Sequence, residues 1–367
     1  MTGRMSLSGT QGDAGFQADA VVVAPDRLRD TVSRILVAAG TLETDAIVVA
    51  DHLVQSNLSG HDSHGAGMLP FYVRGIRSGA LDPRAHAVVE DGGGGILRAD
   101  GRRGFGQVVA REATAAAMER ARTSGVALVA LRNASHVGRV GTYGEQAAAL
   151  GFLSIHFVNV IGHTPLVAPF RGSDARFSTN PFCVTLPRAG GAPPLVLDFA
   201  TSIVALGKTR VALNRGEQMA DGVLIDAEGR PTRDPGVMWR SPRGAILPFG
   251  LHKGYGLALM CELLAGAVAG GGTSATVPLE PERIGNSMFS IVVDPLRFGA
   301  AEAIEREVRA VVDSVKASPP ADPALPVLVA GEPERMARAE RARTGIAIER
   351  ATWDEIRTAA ASVGIDV

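Results

Sequence analysis

The chain has 367 residues, 46% apolar and 20% charged, with 44 glycines and a formal net charge of −1. That length is enough to bury a sizeable core, in one large domain or in two to three smaller ones. The balanced charge argues against the broad basic field that recruits nucleic acid or an anionic membrane, and no apolar run reaches the ~18 residues of a membrane-spanning helix.

Along the chain, residues 1–22 mix Gly, Ser, Thr, Gln and Asp without periodicity and read as a disordered tail. From 25 to 59 apolar residues recur every three to four positions, the helical period, with Gly40 as a stop and Thr44 as a restart. A further helix is expected over 69–77, closed by Ser78-Gly79. Strands are expected over 87–90 and 95–99, around the turn Asp91-Gly92-Gly93-Gly94. An Ala-rich helix over 107–123, a strand over 126–131, a helix over 143–150 and a strand over 152–160 give a β-α-β rhythm, hence a sheet covered by helices. Short strands at 184–186 and 195–198, an apolar helix over 255–269, a strand over 289–294 and a charged helix over 301–317 follow, and the remainder reads as Arg- and Glu-rich helix. Cys183 and Cys261 lie within apolar runs and read as small buried hydrophobes. No signal-peptide pattern is visible, so a cytoplasmic location is expected.

Three places can carry chemistry. Gly60-His61-Asp62-Ser63-His64-Gly65 lies where a long helix breaks. Histidine, with an ordinary pKa of ~6.5, suits proton transfer at neutral pH; Asp62 or Ser63 can orient a ring nitrogen, and Gly65 admits a ligand close to the backbone. The alternatives are a polar loop whose histidines cap a helix end, or a metal site from His52, His61 and His64, which would make the chain a metal-dependent hydrolase. No zinc pattern such as H-E-x-x-H supports the latter, so no metal is expected. The second place, residues 133–144, joins a strand to a helix with glycines at 138, 141 and 144, a turn able to offer backbone N–H groups to a phosphate, with Arg139 beside it. Its spacing is not the Rossmann G-x-G-x-x-G; neither is that of residues 101–106, which read as a loop and helix cap. The third is a pair of segments: Asp198, ending a strand and expected to open a helix, and Lys253, set among glycines at a helix start. For each, a purely structural turn competes with a binding role.

Read together, seven strings resemble the malate/L-lactate dehydrogenase family, and within it the hydroxycarboxylate dehydrogenase B-like branch. They are GHDSHGAGM (60–68), SHVGR (135–139), RFSTNPFC (176–183), LDFATS (197–202), GKTRV (207–211), HKGYG (252–256) and GEPE (331–334), in fixed order from about residue 25 to the C-terminus. The resemblance implies an α/β, non-Rossmann, mixed-sheet fold like that of sulfolactate dehydrogenase, with helical N- and C-terminal segments. The corresponding division is a tail over 1–22, a helical segment over 23–88 that packs with the C-terminal part, a nicotinamide cofactor-binding domain over 89–317, and a loop and helices over 318–367 that complete the site. It also implies a homodimer that reversibly transfers hydride between NAD or NADP and a 2-oxo/2-hydroxy acid. The family's catalytic histidine matches His64; in some members the proton acceptor matches His136. Cofactor contacts fall on Gly138, Arg139, Val140, Asp198 with Phe199 and Ala200, Lys253 and Asn286, with a further region at Gly331 and Glu332.

One position departs from many relatives. Four residues after the catalytic histidine they carry an arginine suited to gripping a carboxylate; here it is Met68, as in the hydroxycarboxylate dehydrogenase B-like branch. An adaptable apolar wall there fits a substrate with a bulky or aromatic side chain, and leaves Arg74, Arg139 and His136 as candidates for the carboxylate. A cyclic imino acid or a ureidoglycolate- or malate-type substrate is the alternative.

Overall fold

A computed structural model describes residues 20–280 and 282–367. The chain opens with β1 (Ala20–Val23), α1 (Pro25–Ala38), α2 (Glu43–Leu58) and α3 (Leu69–Ser78). Pro25 begins α1 where its missing N–H costs nothing, and Leu28, Val32, Ile35 and Leu36 form its buried stripe. Next come β2 (Val88–Gly93), β3 (Ile96–Asp100), α4 (Gly106–Ser124), β4 (Val126–Ser135), α5 (Gly141–Ala149), β5 (Leu153–Ile161), β6 (Phe182–Leu186) and β7 (Leu195–Phe199). A satellite follows: α6 (Leu206–Arg215), β8 (Leu224–Ile225), β9 (Pro231–Thr232) and β10 (Ala245–Ile246). The chain ends with α7 (His252–Cys261), a π-helix (Glu262–Val268), β11 (Gly285–Val293), α8 (Ala301–Lys316), α9 (Glu332–Thr344), β12 (Ile346–Glu349) and α10 (Arg350–Ala361).

The main sheet has seven strands in the order β2-β3-β4-β11-β5-β6-β7. β3 and β4 run parallel, the arrangement a helical crossover such as α4 makes possible, and the other pairs are antiparallel. β11 enters between two earlier strands, with Gly285 opposite both Ser135 and Ile161. One face, with Val129, Leu131, Val158, Met288 and Val292, packs against α4 and α5. The other carries the π-helix, whose Gly266 lies against Asn159. A second core joins the two ends of the chain, packing Leu28, Val49, Leu53, Tyr72, Trp353 and Ile356. There β1 pairs antiparallel with β12, Ala20 opposite Glu349. The fold is thus the mixed α/β sheet expected, flanked by helices from both ends.

Several expectations need correction. The tail expectation over 1–22 falls mostly outside the described residues, but Ala20–Val23 is a strand, because residues 346–349 offer it a partner edge. That partner, β12, interrupts the stretch expected to be helical throughout. The helix expected directly after Asp198 starts only at Leu206. The three-stranded satellite sheet is built from strands of two residues, too short for alternation to show. Among the described residues no helix is long and apolar enough to cross a membrane.

α9 ties the layers together. Glu334, Arg338 and Arg341 recur at helical spacing on one face. His61 Nε2 lies 3.4 Å from Glu334 Oε1. Arg338 donates to Ser59 Oγ at 2.7 Å and to Glu145 on α5 at 2.7 and 2.9 Å. Arg341 donates to the Asn57 carbonyl at 2.5 Å and to both Asp62 oxygens at 2.8 and 3.0 Å.

Two histidines sit in the packed interior. His156 bridges Ser290 Oγ at 2.7 Å and Ser154 Oγ at 3.1 Å, and His52 Nε2 accepts the Arg139 N–H at 3.0 Å. Burial lowers His156 to about 4, and burial with repulsion from Arg139 and His64 lowers His52 to about 3. A folded-state pKa below the unfolded value means the unfolded chain binds more protons, so this stability is complete above pH 6.5 and is lost as pH falls towards 4. Scanning calorimetry should show Tm declining across that window; a Tm that does not change there contradicts the buried neutral histidines.

Candidate active site

His64 closes a single 3-10 turn, Asp62–His64, between α2 and α3. Asn57, near the end of α2, holds that turn from behind. Its Nδ2 donates to Asp62 Oδ1 at 2.6 Å, and its Oδ1 accepts the Ala66 N–H at 2.8 Å. Gly65 packs so closely on this amide that a Cβ would lie 2.3 Å from it.

His64 Nδ1 is 3.1 Å from His136 Nε2, and the rings stack with centroids 5.2 Å apart at 21°. His136 follows β4 and is fixed from its far side: its Nδ1 is 2.8 Å from Tyr72 Oη, and Gln107 Nε2 donates to that oxygen at 2.6 Å. Burial lowers His64 to about 4, with repulsion from His61 and Arg139 adding to it. His136 is pushed well below 6.5, first by burial and then by His64 and His52. Both rings are neutral at pH 7.

The turn after His136 is equally constrained. Gly138 has φ +71°, and a Cβ there would come within 2.3 Å of His52 Nε2, so only glycine fits. Arg139 is 1% exposed. Its fork donates to Glu145 at 3.0 and 3.1 Å, while its Nε, without a hydrogen bond, lies 3.8 Å from Asp198 Oδ2. Asp198 caps a helix, but not one that follows it: Oδ2 accepts the N–H of Gly141, the first residue of α5, at 2.7 Å. Burial raises the pKa of this carboxyl, against the pull of Arg139. Asn286 stitches strands, accepting the Val137 N–H and donating to the Asn159 carbonyl, both at 2.8 Å.

These groups border one cavity of about 1540 Å³. Ser63, His64, Met68, His136, Gly138, Arg139, Val140, Asp198, Phe199, Ala200 and Asn286 all line it. Asp62, Arg74, Lys253, Gly331 and Glu332 do not. Asp62 is held by Asn57 and Arg341 instead, and neither it nor Ser63 bonds to a His64 nitrogen; His136 does. Arg74 stands two residues past Tyr72, half a helical turn away, and is exposed. Lys253 is exposed, and Glu332 is taken by Lys316 at 2.7 Å and by the Val329 N–H. His52 lies behind Gly138, and among the described residues no group of three His, Cys, Asp or Glu could hold a metal ion. That removes the ligand set of the metal-hydrolase alternative.

Motif reading missed several cavity groups. Lys208, Arg210, Trp239 and Arg243 form a cationic wall on the satellite, with Arg210 stacked 3.6 Å from the Trp239 ring centroid. His163 Nδ1 donates to the Thr164 carbonyl and its Nε2 accepts from Ser178 Oγ. The string GKTRV contains two of the cations and was the one available signal. Tyr72 and Gln107 left none: one is an aromatic on an amphipathic helix, the other a single amide in an Ala-rich one.

Comparison with known proteins identifies the family. The family model for malate/L-lactate dehydrogenase matches residues 23–357. Hydroxycarboxylate dehydrogenase B of Escherichia coli is 46% identical over 340 residues, covering 92% of this chain and 93% of that protein. The sulfolactate dehydrogenase structure from Methanocaldococcus jannaschii superposes with a TM-score of 0.84 at 30% identity, over 94% of this chain and 98% of that one. The Δ1-piperideine-2-carboxylate reductase structure from Pseudomonas syringae gives 0.79 at 30% identity, over 93% and 100%. The chain belongs to the malate/L-lactate dehydrogenase family of NAD(P)-dependent 2-hydroxyacid dehydrogenases.

Proposed function

We propose that this dehydrogenase interconverts 2-oxo and 2-hydroxy acids carrying a bulky or aromatic side chain, with His64 as the proton-transfer residue. The single observation behind the role of His64 is its geometry: one ring nitrogen is fixed by His136, and Nε2 has no hydrogen-bond partner among the described residues, on a side chain that lines the cavity. The cavity exceeds the roughly 300–1,000 Å³ of an ordinary single-ligand pocket, which fits a cofactor and an acid held together. Its cationic wall suits the phosphates of a nicotinamide dinucleotide. When bound, that cofactor supplies or accepts the hydride at C2 of the acid.

The chain's own part is the proton. During reduction His64, having first taken a proton from solvent, gives its Nε2 proton to the carbonyl oxygen, where negative charge builds, and returns to the neutral ring; during oxidation the neutral ring takes the hydroxyl proton on Nε2 and passes one back to solvent. His136 keeps the ring in place. Met68 and Phe71 give the cavity an apolar wall, and Arg74 and Arg139 are ill placed to hold the carboxylate, one exposed and the other engaged by Glu145. Arg283 also lines the cavity, near Gly162, and shares Glu280 with Arg103.

His64→Asn should lower kcat by about 10²-fold or more while cofactor binding is unchanged; near-normal turnover would remove His64 from the mechanism. A screen of 2-oxo acids from pyruvate to phenylpyruvate, plus a cyclic imino acid, should be run with each cofactor. It should favour the larger side chains by roughly 10-fold or more in kcat/KM, the scale of an apolar pocket contact. Met68→Arg should reverse that order, and an unchanged order would place the side chain elsewhere. Homodimer formation is supported by the apolar side chains exposed on and beside the π-helix, Met260, Leu263 and Val268. Sedimentation velocity should give a single dimeric species, and Leu263→Glu should dissociate it; a monomeric wild-type chain would refute the dimer.

A further inference from the structure

The hydrogen bonds behind His64 have a direction. Tyr72 Oη accepts from Gln107 Nε2, and burial raises the Tyr72 pKa so that the hydroxyl keeps its proton. That proton is free to be donated, and His136 Nδ1, 2.8 Å away, receives the bond. A neutral imidazole with a bare Nδ1 carries its hydrogen on Nε2. This N–H faces His64 Nδ1, which therefore accepts, leaving the His64 hydrogen on Nε2.

Gln107 is 1% exposed, in the first turn of α4. The helix starts directly under the His136 backbone, where a Cβ at Gly106 would meet the His136 carbonyl oxygen at 2.4 Å. The Gln107 Oε1 is buried with no hydrogen-bond partner, an unusual cost inside a folded chain. A half-turn of the amide brings Oε1 onto the Tyr72 hydroxyl and reverses every bond in the row. Tyr72 then donates to Gln107, His136 donates from Nδ1 to Tyr72, and His64 donates from Nδ1 to His136. Both arrangements hold the same number of protons. They differ in what His64 Nε2 offers the cavity: a hydrogen-bond donor in one, a lone pair in the other.

We propose that Gln107 is a positioning residue which, through Tyr72, sets the tautomers of His136 and His64 and, by rotation of its amide, switches His64 between donor and acceptor. The inference rests on the reading of His64 as the proton-transfer residue. Other groups facing the pair are His52 from α2, His61 from the turn before His64, Arg139 from the segment after β4, and His163 after β5. None of them makes a hydrogen bond to a ring nitrogen of His64 or His136.

Histidine ¹⁵N spectra and pH–rate profiles of the wild type, Gln107→Glu, Gln107→Met, Tyr72→Phe and His64→Asn test this. The wild type should show His136 protonated on Nε2. Gln107→Glu, an acceptor only when ionised, should move that proton to Nδ1 and raise the apparent pKa of the pair by about one unit. Gln107→Met and Tyr72→Phe should mix the tautomers and slow both reaction directions together, roughly tenfold, because the overall equilibrium is unaltered. Spectra and profiles of the Gln107 variants that match the wild type, while His64→Asn is inactive, overturn the inference alone. An active His64→Asn overturns the functional reading instead. If the Gln107 variants do not fold, Tyr72→Phe decides, since its hydroxyl is the link to His136: an unchanged His136 tautomer there overturns the inference.

Discussion

A buried guanidinium organises this molecule. Arg139 has lost almost all contact with water, and a charge so placed is tolerable only with its partners in position. Glu145 takes the fork from α5, and Asp198 stands beside Nε from the end of β7. Glu145 also receives Arg338 from α9, and the Arg139 N–H goes to His52 on α2. The sheet, its covering helix and both helical ends therefore meet at one residue, three positions after His136. Few alternatives for Arg139 mean few alternatives for the histidine.

The same logic extends along α9. Its stripe of Glu334, Arg338 and Arg341 reaches His61, Ser59, Asn57 and Asp62, the backbone and side chains on either side of the loop that presents His64. The string GEPE opens this helix, and the charges that follow it act on the loop near residue 60, almost 280 positions earlier in the chain. Each such pair is partly solvated and individually modest; as a row on one helix face they hold a short turn with little regular structure of its own.

What sequence could reveal follows from the range of each interaction. Pro25, Gly40, Gly79 and Gly125 punctuate helices through local backbone preferences, so α1 to α4 were legible to within a few residues. His64 and His136 could be singled out as candidates because the strings around them are specific, and both line the cavity. Their contact was not legible, since 72 positions separate them. β12 was hidden because residues 346–349 form a strand only by meeting residues 20–23. Asp198 could be recognised as a cap, but its helix, α5, lies over fifty residues upstream. Tyr72 and Gln107 carry no signal of their own; they matter through what they touch.

The position of β11 governs how the chain is made. It is the central strand of the large sheet, yet it comes after β4, β5, β6 and β7 in the chain. During synthesis the inner edges of β4, ending at Ser135, and β5, ending at Ile161, wait unpaired until β11 begins at Gly285, with apolar Val129, Leu131 and Val158 still uncovered by their neighbour. Open edges of this kind recruit other chains, and pairings so distant are slow to close. The enzyme is thus most vulnerable to misassembly before Val293 has left the ribosome. A nascent chain truncated ahead of β11 would have all of the His64 turn and no finished sheet to hold it against.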